Sequence, residues 1–217
     1  MKHFLIFIIL LTFIACNSTK KPKKEEVKEK NTTTISSAIE ASNSKELIVK
    51  KELNAYLKEL STFNTDAIVD MTYPKLFDVI DLDLYRQYIA SMMNSTDIEI
   101  KSYESKVTKL SPVTIFSNAT KFAQVDYESK IKIHLLNKKL YNTEEKINFL
   151  YDALIHKYGK ENIRVDIKKR ILSIKKSEKL LMIKEKDKKW KFLGDNSKYR
   201  QLYPNFLPIE IWTLINK

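Results

Sequence analysis

FAQVDYESKIKIHL, residues 122–135, decides the fold, because apolar and polar side chains alternate along it without a break. From Ala123 to Leu135 the odd positions carry apolar or small side chains, and the even positions carry polar or charged ones. This period of two is typical of a β-strand with one buried and one solvated face. The stretch is about twice the usual strand length. One strand cannot bury its apolar side alone, so we expect helices or a second sheet to cover it.

Helical and strand patterns surround this stretch on both sides. The predicted helices are residues 45–62, 65–73, 83–93 and 143–158. Their predicted N-caps are, in the same order, Ser44, Asn64 or Thr65, Asp81 or Asp83, and Asn142 or Thr143. Further strands are predicted at residues 98–107, 113–116, 163–167, 171–174, 180–184 and 190–193, with a bulge near Ser102, a turn at Asn118-Ala119 and a helix C-cap at Gly159. The apolar tail, residues 202–215, is expected to pack on the domain and end in a short helix. Together these elements predict an α+β domain.

Composition excludes several classes of site. The chain has 217 residues, 43% hydrophobic and 30% charged, which is typical of a globular protein with room for one domain. Its two glycines, Gly159 and Gly194, cannot assemble a glycine-rich phosphate-binding loop. The single cysteine, Cys16, excludes an internal disulfide and a metal site built from several cysteines.

The first 15 residues are predicted to be a signal peptide. Lys2 supplies the positive start, residues 4–14 form an apolar run interrupted only by Thr12, and the small residue Ala15 follows. About eleven apolar residues are too few to cross a hydrocarbon core of about 30 Å as a helix. The run therefore indicates a targeting segment and not a membrane span.

The stretch FIAC, residues 13–16, resembles a bacterial lipobox. In that motif the cysteine becomes the lipidated first residue of the mature protein, and Phe13 stands here in place of the usual leucine. The resemblance implies signal cleavage after Ala15 and lipid attachment at Cys16. Several acyl chains would hold the protein on a membrane essentially permanently. An ordinary signal peptide with a chance cysteine, or a buried helix, is the alternative.

Residues 16–44 are predicted to be a disordered, lysine-rich tether. Residues 20–30 are almost entirely Lys and Glu, and residues 31–34 are all polar. So little apolar surface cannot offset the chain entropy that folding removes. As a flexible coil the tether would hold the domain about 30 Å from the lipid. A single folded domain is predicted from residue 45 to residue 217.

The net charge of +12 is concentrated in the C-terminal half. Residues 130–193 hold 19 Lys and Arg against 8 Asp and Glu, whereas residues 47–129 hold 9 against 12. Most of these lysines fall on outward strand positions and turns, without the aromatic or helical partners that a nucleic-acid surface needs. We predict no nucleic-acid partner, and interpret the basic face as directed toward anionic lipid or a polyanionic envelope polymer. A lysine-rich soluble surface is the alternative.

Candidate catalytic side chains are few. His134 lies on the polar side of residues 122–135 and His156 lies off the apolar stripe of its helix, so neither is predicted to be catalytic. A group of aspartates is interpreted as helix caps and solvated residues, not as a metal site: Asp66, Asp70, Asp78, Asp81 and Asp83. Six tyrosines could line a polar-tipped pocket, although most are expected in the core or at its rim: Tyr56, Tyr73, Tyr85, Tyr88, Tyr103 and Tyr127.

A late strand, KWKFLGD at residues 189–195, follows three predicted N-terminal helices and a run of predicted strands. Over about residues 45–196 this order resembles the nuclear transport factor 2-like (NTF2-like) superfamily. The resemblance implies a cone-shaped α+β fold of the NTF2-like or cystatin-like type, with N-terminal helices packed in a strongly curved antiparallel sheet. The helix at residues 143–158 is an extra element. Members include isomerases, dehydratases, transport adaptors and many lipoproteins, so the fold does not select one function.

The sequence favours a lipoprotein of the bacterial cell envelope, anchored through Cys16, at the outer membrane. Its domain is predicted to be a monomeric, non-catalytic module without a cofactor or metal that binds a small apolar ligand, an envelope protein or a polyanion. The alternative is an acid–base enzyme, similar to an isomerase or dehydratase, with a carboxylate or histidine held in the cone. The binding module is favoured because no carboxylate interrupts the apolar side of residues 122–135.

Overall fold

The computed structural model describes residues 35–186 and 188–216. The predicted signal peptide, the cleavage site at Ala15, the lipid attachment at Cys16 and the tether up to residue 34 lie outside the described residues. Within the described ranges, the structure has no helix of the length and apolarity needed to cross a membrane.

The described chain forms one sheet with helices before, between and after its strands. The helices are α1 (Ile35–Thr62), α2 (Thr65–Met71), α3 (Leu82–Met93), α4 (Glu144–Tyr158) and α5 (Ile209–Ile215). The strands are β1 (Ile98–Leu110), β2 (Thr114–Ile115), β3 (Lys121–Leu135), β4 (Ile163–Asp166), β5 (Ile171–Lys184) and β6 (Lys191–Gly194). Three 3-10 helices lie at Pro74–Asp78, Lys160–Asn162 and Ser197–Asn205.

The six strands form an antiparallel sheet in the order β1-β3-β5-β4, with β2 paired to β3 and β6 paired to β5. The α+β prediction is therefore confirmed. The sheet is not strongly curled, which differs from the strongly curved cone that the family resemblance implies. Strand β3 has partners on both sides, so it lies inside the sheet and not at an edge.

Helix α1 begins ten residues earlier than predicted, at Ile35 instead of Lys45. Residues 35–44 contain no proline or glycine, so no strong helix breaker ends the helix there. The predicted tether, residues 16–44, therefore overlaps α1. Among the α1 side chains that the structure describes, Val49 is the first buried one. The packing of α1 on the sheet thus begins at Val49.

Three of the four predicted helix N-caps are confirmed, whereas Ser44, predicted to cap the first helix, lies inside α1. Asn64, Asp81 and Thr143 each accept a hydrogen bond from the backbone N–H three residues further on, at 3.2, 2.8 and 3.4 Å. These bonds satisfy N–H groups that have no partner inside the helix. Helix α4 ends at Gly159, whose φ of 86° lies in the region that favours glycine. Local sequence therefore sets these helix ends.

Strand β3 has the predicted faces. All odd positions from Ala123 to Leu135 are buried, and the even positions between them are partly or fully exposed. Its neighbour β1 has the predicted bulge, a register shift between Ile100 and Ser102, and a second shift follows further along. At the bulge, two residues of β1 lie opposite one residue of β3. Even-numbered residues of β1 therefore face inward before the bulge, and odd-numbered residues face inward after it.

Strand β5 is one continuous strand, whereas the sequence predicts two, at residues 171–174 and 180–184. The polar residues 175–179 continue the ladder and pair with β3 from residue to residue. The prediction of two strands is wrong because residues 175–179 are polar, as is typical of a turn. Their backbone pairing with β3 nevertheless keeps them in a strand. The consequence is that even positions of β5 face the same side as odd positions of β3.

Two helices cover that common side, which we call the inner face. Near one end of the sheet, α1 packs its buried residues on the inner face, and the Tyr56 ring stacks on Phe192 with 4.3 Å between centroids. Near the other end, α4 packs Leu150 and Leu154 on Ile131 and Leu135 of β3. The inner face therefore carries two separate apolar clusters.

The C-terminal tail packs on the domain and ends in a short helix, as predicted, and it covers part of the opposite face. Leu181 and Ile183 of β5 point to that face and are fully buried against the tail, including Ile211 of α5. An ion pair fixes the tail, because Arg200 donates to both carboxylate oxygens of the buried Asp195 at 3.0 and 2.7 Å. Two hydrogen bonds to one carboxylate give this contact both strength and direction.

Candidate functional site

The middle of the inner face holds a buried ion pair between the two apolar clusters. The Lys176 ammonium lies 3.5 Å from a Glu178 carboxylate oxygen, and their side chains are only 6% and 1% exposed. On the neighbouring strand β3, the residue paired with Lys176 is Ser129, which is also buried and interrupts the aliphatic side chains of that face. We take this polar patch as the candidate functional site, because charged side chains are almost never fully buried without a specific reason.

Strand geometry places both charged residues on the inner face. Leu172, Ile174, Leu180 and Met182 occupy the even positions of β5 on either side of the pair, and all four are buried. Side chains two residues apart on a strand point to the same side. Lys176 and Glu178 must therefore enter the core if β5 is continuous.

Tyrosines from four different elements surround the pair. Tyr56 comes from α1, Tyr103 from β1, Tyr127 from β3 and Tyr158 from α4. Glu178 lies beside Tyr127 across the β3–β5 register, and the Lys176 ammonium lies 5.5 Å from the centre of the Tyr158 ring. A cation at that distance from an aromatic face is attracted to it.

Burial raises the pKa of Tyr56, Tyr103, Tyr127 and Tyr158 above the ordinary value of 10. The negative charge of Glu178 raises the pKa of all four further, because a second negative charge nearby is unfavourable. These hydroxyls therefore stay protonated at neutral pH and can act as hydrogen-bond donors inside the site.

The Glu178 carboxylate lacks the hydrogen bonds that such a group normally has. The Tyr127 hydroxyl is placed to donate to Glu178, and the carboxylate has no further hydrogen-bond partner of good geometry among the described residues. Its ion pair with Lys176 is longer than the 2.7–2.9 Å or so of a charge-assisted hydrogen bond. The polar neighbours of this buried carboxylate are therefore the Lys176 ammonium and the Tyr127 hydroxyl.

The sequence-predicted candidates lie elsewhere. His156 is exposed on α4, and His134 lies on the outer side of β3 with its Nδ1 3.6 Å from a Glu99 carboxylate oxygen. All five aspartates that the sequence analysis interprets as caps and solvated residues are exposed, and Asp81 caps α3. Among the described residues, no three His, Cys, Asp or Glu side chains are grouped so that they could hold a metal ion.

The tyrosines divide into two groups. Tyr56, Tyr103 and Tyr127 of the predicted set face the buried pair. Outside it, the Tyr85 ring packs edge-on against Phe77, and the Tyr73 hydroxyl donates to Glu185 at 3.1 Å. The sequence analysis missed Lys176 and Glu178, because both fall between its two predicted strands, residues 171–174 and 180–184. The signal that could have found them is the even-position pattern of β5, which is apolar on both sides of the two charged residues.

An open groove of about 670 Å³ lies apart from the pair, beside the 3-10 helix Pro74–Asp78 and residues 204–208. Of its two acidic side chains, Asp78 and Glu185, the more buried one, Glu185, is already held by two lysines. Hydrogen bonds from Lys188 and then Lys75 lower the pKa of Glu185. Because this carboxylate has its partners, the groove offers a weaker case for ligand recognition than the buried pair does.

The basic outer face is interspersed with acidic side chains. Lys175 lies 3.0 Å from Glu128 and Lys179 lies 4.0 Å from Asp126, in each case between neighbouring strands. Such exposed pairs contribute about 0–1 kcal/mol to stability. The charge excess predicted for residues 130–193 is thus partly neutralised on the strands.

No family model matches the chain, and neither a curated protein nor a solved structure matches it. The function is therefore argued from the chemistry of the described residues.

Proposed function

We propose that this protein is a monomeric lipoprotein of the bacterial cell envelope, anchored in the outer membrane through Cys16, whose domain is a non-catalytic binding module. The lipobox-like residues 13–16 support the anchor, and the basic outer face is suited to an anionic surface or polymer. The observation that carries the binding function is the buried Lys176–Glu178 pair with its ring of tyrosines.

A buried ion pair contributes little net stability to a fold. Taking two charges out of water costs several kcal/mol per ion, and replacing such a pair with apolar residues is often neutral or stabilising. Lys176 and Glu178 interrupt two apolar clusters that would otherwise join. Recognition of a ligand explains why two charged side chains lie at the centre of the domain although their burial costs free energy.

Anchoring is tested by detergent partitioning of the full chain expressed in bacteria. The wild-type chain should enter the detergent phase and carry acyl mass on Cys16, whereas Cys16→Ser should remain an unprocessed precursor or be released in soluble form. Asn17→Ala is the matched control, since it changes the neighbouring residue and keeps the thiol. Unchanged partitioning of Cys16→Ser contradicts the anchor.

Binding is tested by native mass spectrometry of the full chain isolated from bacteria in detergent. We expect a bound small molecule on the wild-type chain, lost after unfolding and refolding, and absent from the double variant Lys176→Met with Glu178→Met. A wild-type chain with no bound mass, or a double variant that keeps it, contradicts the binding module at this site.

We propose further that the domain is a less curved variant of the NTF2-like fold. Three N-terminal helices that precede the sheet and the late strand β6 support this assignment, and α4 is then an insertion. An experimental structure tests it, since the assignment requires α1 to pack within the concave side of the sheet. Packing of α1 on a convex side would contradict it.

An acid–base enzyme is the second candidate, and one observation favours it. Glu178 is a buried carboxylate surrounded by protonated tyrosine hydroxyls, which is a setting for general acid–base chemistry. The neighbouring Lys176 argues against it, because its ammonium is paired with the carboxylate that would have to act as the base. Incubation with a metabolite extract discriminates: an enzyme changes the extract, and Glu178→Gln abolishes that change.

A further inference from the structure

Strand β2 and the turn between β5 and β6 lie at one end of the sheet, which we call the β2 end. The register places Ile115 beside Lys121, and Lys121 beside Lys184, in the last row there. The open groove of about 670 Å³ adjoins this row, because Asn118 and Lys186 both line it. The β2 end comprises these ranges: residues 74–79, 114–121, 184–186, 188–189 and 204–209.

Lysines at the β2 end are less neutralised than those on the outer face. On the outer face, Lys175 and Lys179 each lie beside a carboxylate of β3. At the β2 end, residues 184–189 hold four lysines against two acidic residues. Four lysines of this end form no ion pair with any other described residue: Lys121, Lys184, Lys186 and Lys189. Such a cluster of cations attracts an anionic surface.

Exposed apolar side chains accompany these lysines. Val79, Ile115 and Ile209 are 39%, 59% and 65% exposed. Val79 directly follows the 3-10 helix beside the groove, and Ile209 directly follows Pro208, which lines the groove. Lysines next to exposed aliphatic side chains are typical of a surface that lies at the interface of a bilayer. There the aliphatic groups reach the acyl boundary and the ammonium groups meet lipid phosphates.

Helix α1 begins on the β2 side of the sheet and runs away from it. Its Tyr56 stacks on Phe192, which lies in the row of β3 residue 123, two residues from the start of β3. Just after α1, the Phe63 ring contacts Tyr103 edge-on, and Tyr103 lies in the row of β3 residue 131. The helix turns from Ile35 to Tyr56 span about 30 Å, whereas the strand residues left at this end span only about 7 Å. The start of α1 therefore extends beyond the β2 end.

The opposite end of the sheet also has exposed lysines, at residues 138, 139 and 168, so charge alone does not select the surface that meets lipid. The course of α1 does select it. The proposed anchor, Cys16, precedes the start of α1 by fewer than twenty residues, so the anchored chain enters the domain from the β2 end.

We propose that the β2 end docks on the anionic phospholipid bilayer that holds the anchor. This inference rests on the proposed lipid anchor, and it adds which surface of the domain faces the membrane. Four lysines contact lipid phosphates and two isoleucines enter the interface: Lys121, Lys184, Lys186, Lys189, Ile115 and Ile209.

The test uses the full, lipidated chain in vesicles, with a fluorescent label on one introduced cysteine. Cys16 is the only cysteine of the sequence and is blocked by its lipid, so Ile115→Cys takes a single label. Phe149→Cys on α4, near the opposite end, is the matched control because Phe149 is also exposed. The quencher is a lipid with a spin-labelled headgroup. The vesicles are phosphatidylcholine, with or without phosphatidylglycerol.

We expect the label at residue 115 to be quenched at least about twofold more strongly in vesicles with phosphatidylglycerol than in neutral ones. Salt at 1 M should remove this difference, because it shortens the screening length to about 3 Å. The label at residue 149 should be quenched weakly in both kinds of vesicle. No added quenching at residue 115, or equal quenching at residue 149, overturns the inference.

Charge reversal tests the lysines. One variant reverses three lysines of the β2 end and should lose the added quenching: Lys184→Glu, Lys186→Glu and Lys189→Glu. A matched variant reverses three exposed lysines at the opposite end, changes the net charge equally and should keep it: Lys138→Glu, Lys139→Glu and Lys168→Glu. The reverse pattern, or equal effects of the two variants, overturns the inference. Flotation of the wild-type chain with neutral vesicles reports separately on the anchor, so failure of the anchor is distinguished from failure of docking.

Discussion

At the scale of single residues, Glu178 and Lys176 depend on each other for stability. Glu178→Met alone leaves the buried Lys176 ammonium without a counter-ion, so we expect a loss of about 3–5 kcal/mol in the free energy of unfolding. Lys176→Met should lose a similar amount. The double variant should be close to the wild type or more stable, because the two Met side chains join the flanking apolar clusters. Urea unfolding at pH 7 measures all three.

The exposed pair provides the reference for that experiment. Lys175→Met with Glu128→Met changes the same residue types on the outer side of β5 and its neighbour β3, and should alter the free energy of unfolding by no more than about 1 kcal/mol. A double variant at Lys176 and Glu178 that is as unstable as the single variants would show that the buried pair itself stabilises the fold.

The buried tyrosines make stability fall at alkaline pH. The pKa of Tyr127 is raised by burial and then by Glu178, so unfolded chains lose the phenolic proton near pH 10 while folded chains keep it. The stabilising effect is present in full below pH 10 and is lost as pH rises above that value, by at most about 1.4 kcal/mol per pH unit for each tyrosine. Tyr127→Phe should make this decline shallower between pH 10 and 12, measured by urea midpoints. An unchanged slope would contradict the assignment.

At the scale of the element, β3 should tolerate change on one face only. Ile131→Asp places an unpaired charge in the apolar cluster beneath α4, and we expect a loss of several kcal/mol out of a total of about 5–15. Glu128→Ala, three residues away on the outer side, should change the free energy of unfolding by about 0.5 kcal/mol or less. Equal losses in the two variants would contradict the assigned faces of β3.

At the scale of the whole molecule, the domain should fold without the residues before its packed core. A chain that starts at Ser44 keeps every described buried residue from Val49 onward, so it should be soluble and melt cooperatively. A chain that starts at Tyr56 lacks Val49 and Leu53, which are buried against the sheet, and should melt at least several degrees lower or not fold. Calorimetry measures both, and a chain from Ser44 that fails to melt cooperatively would contradict the domain boundary.

The sequence alone determined those features that depend on near neighbours. The faces of β3, the bulge near Ser102 and the ends of α4 at Thr143 and Gly159 follow from side-chain alternation, pairing parity and capping. Each is decided within a few residues, so a local pattern is enough to predict it. The predicted α+β class followed from the order of these elements.

Only the tertiary structure decided the candidate site. Residues 175–179 have the composition of a turn, and pairing along the whole length of β3 holds them in a strand instead. That pairing directs Lys176 and Glu178 inward, where tyrosines from distant parts of the chain meet them. The placement of polar side chains in a core depends on partners far apart in sequence, because strand pairing is a long-range contact that local propensity does not encode.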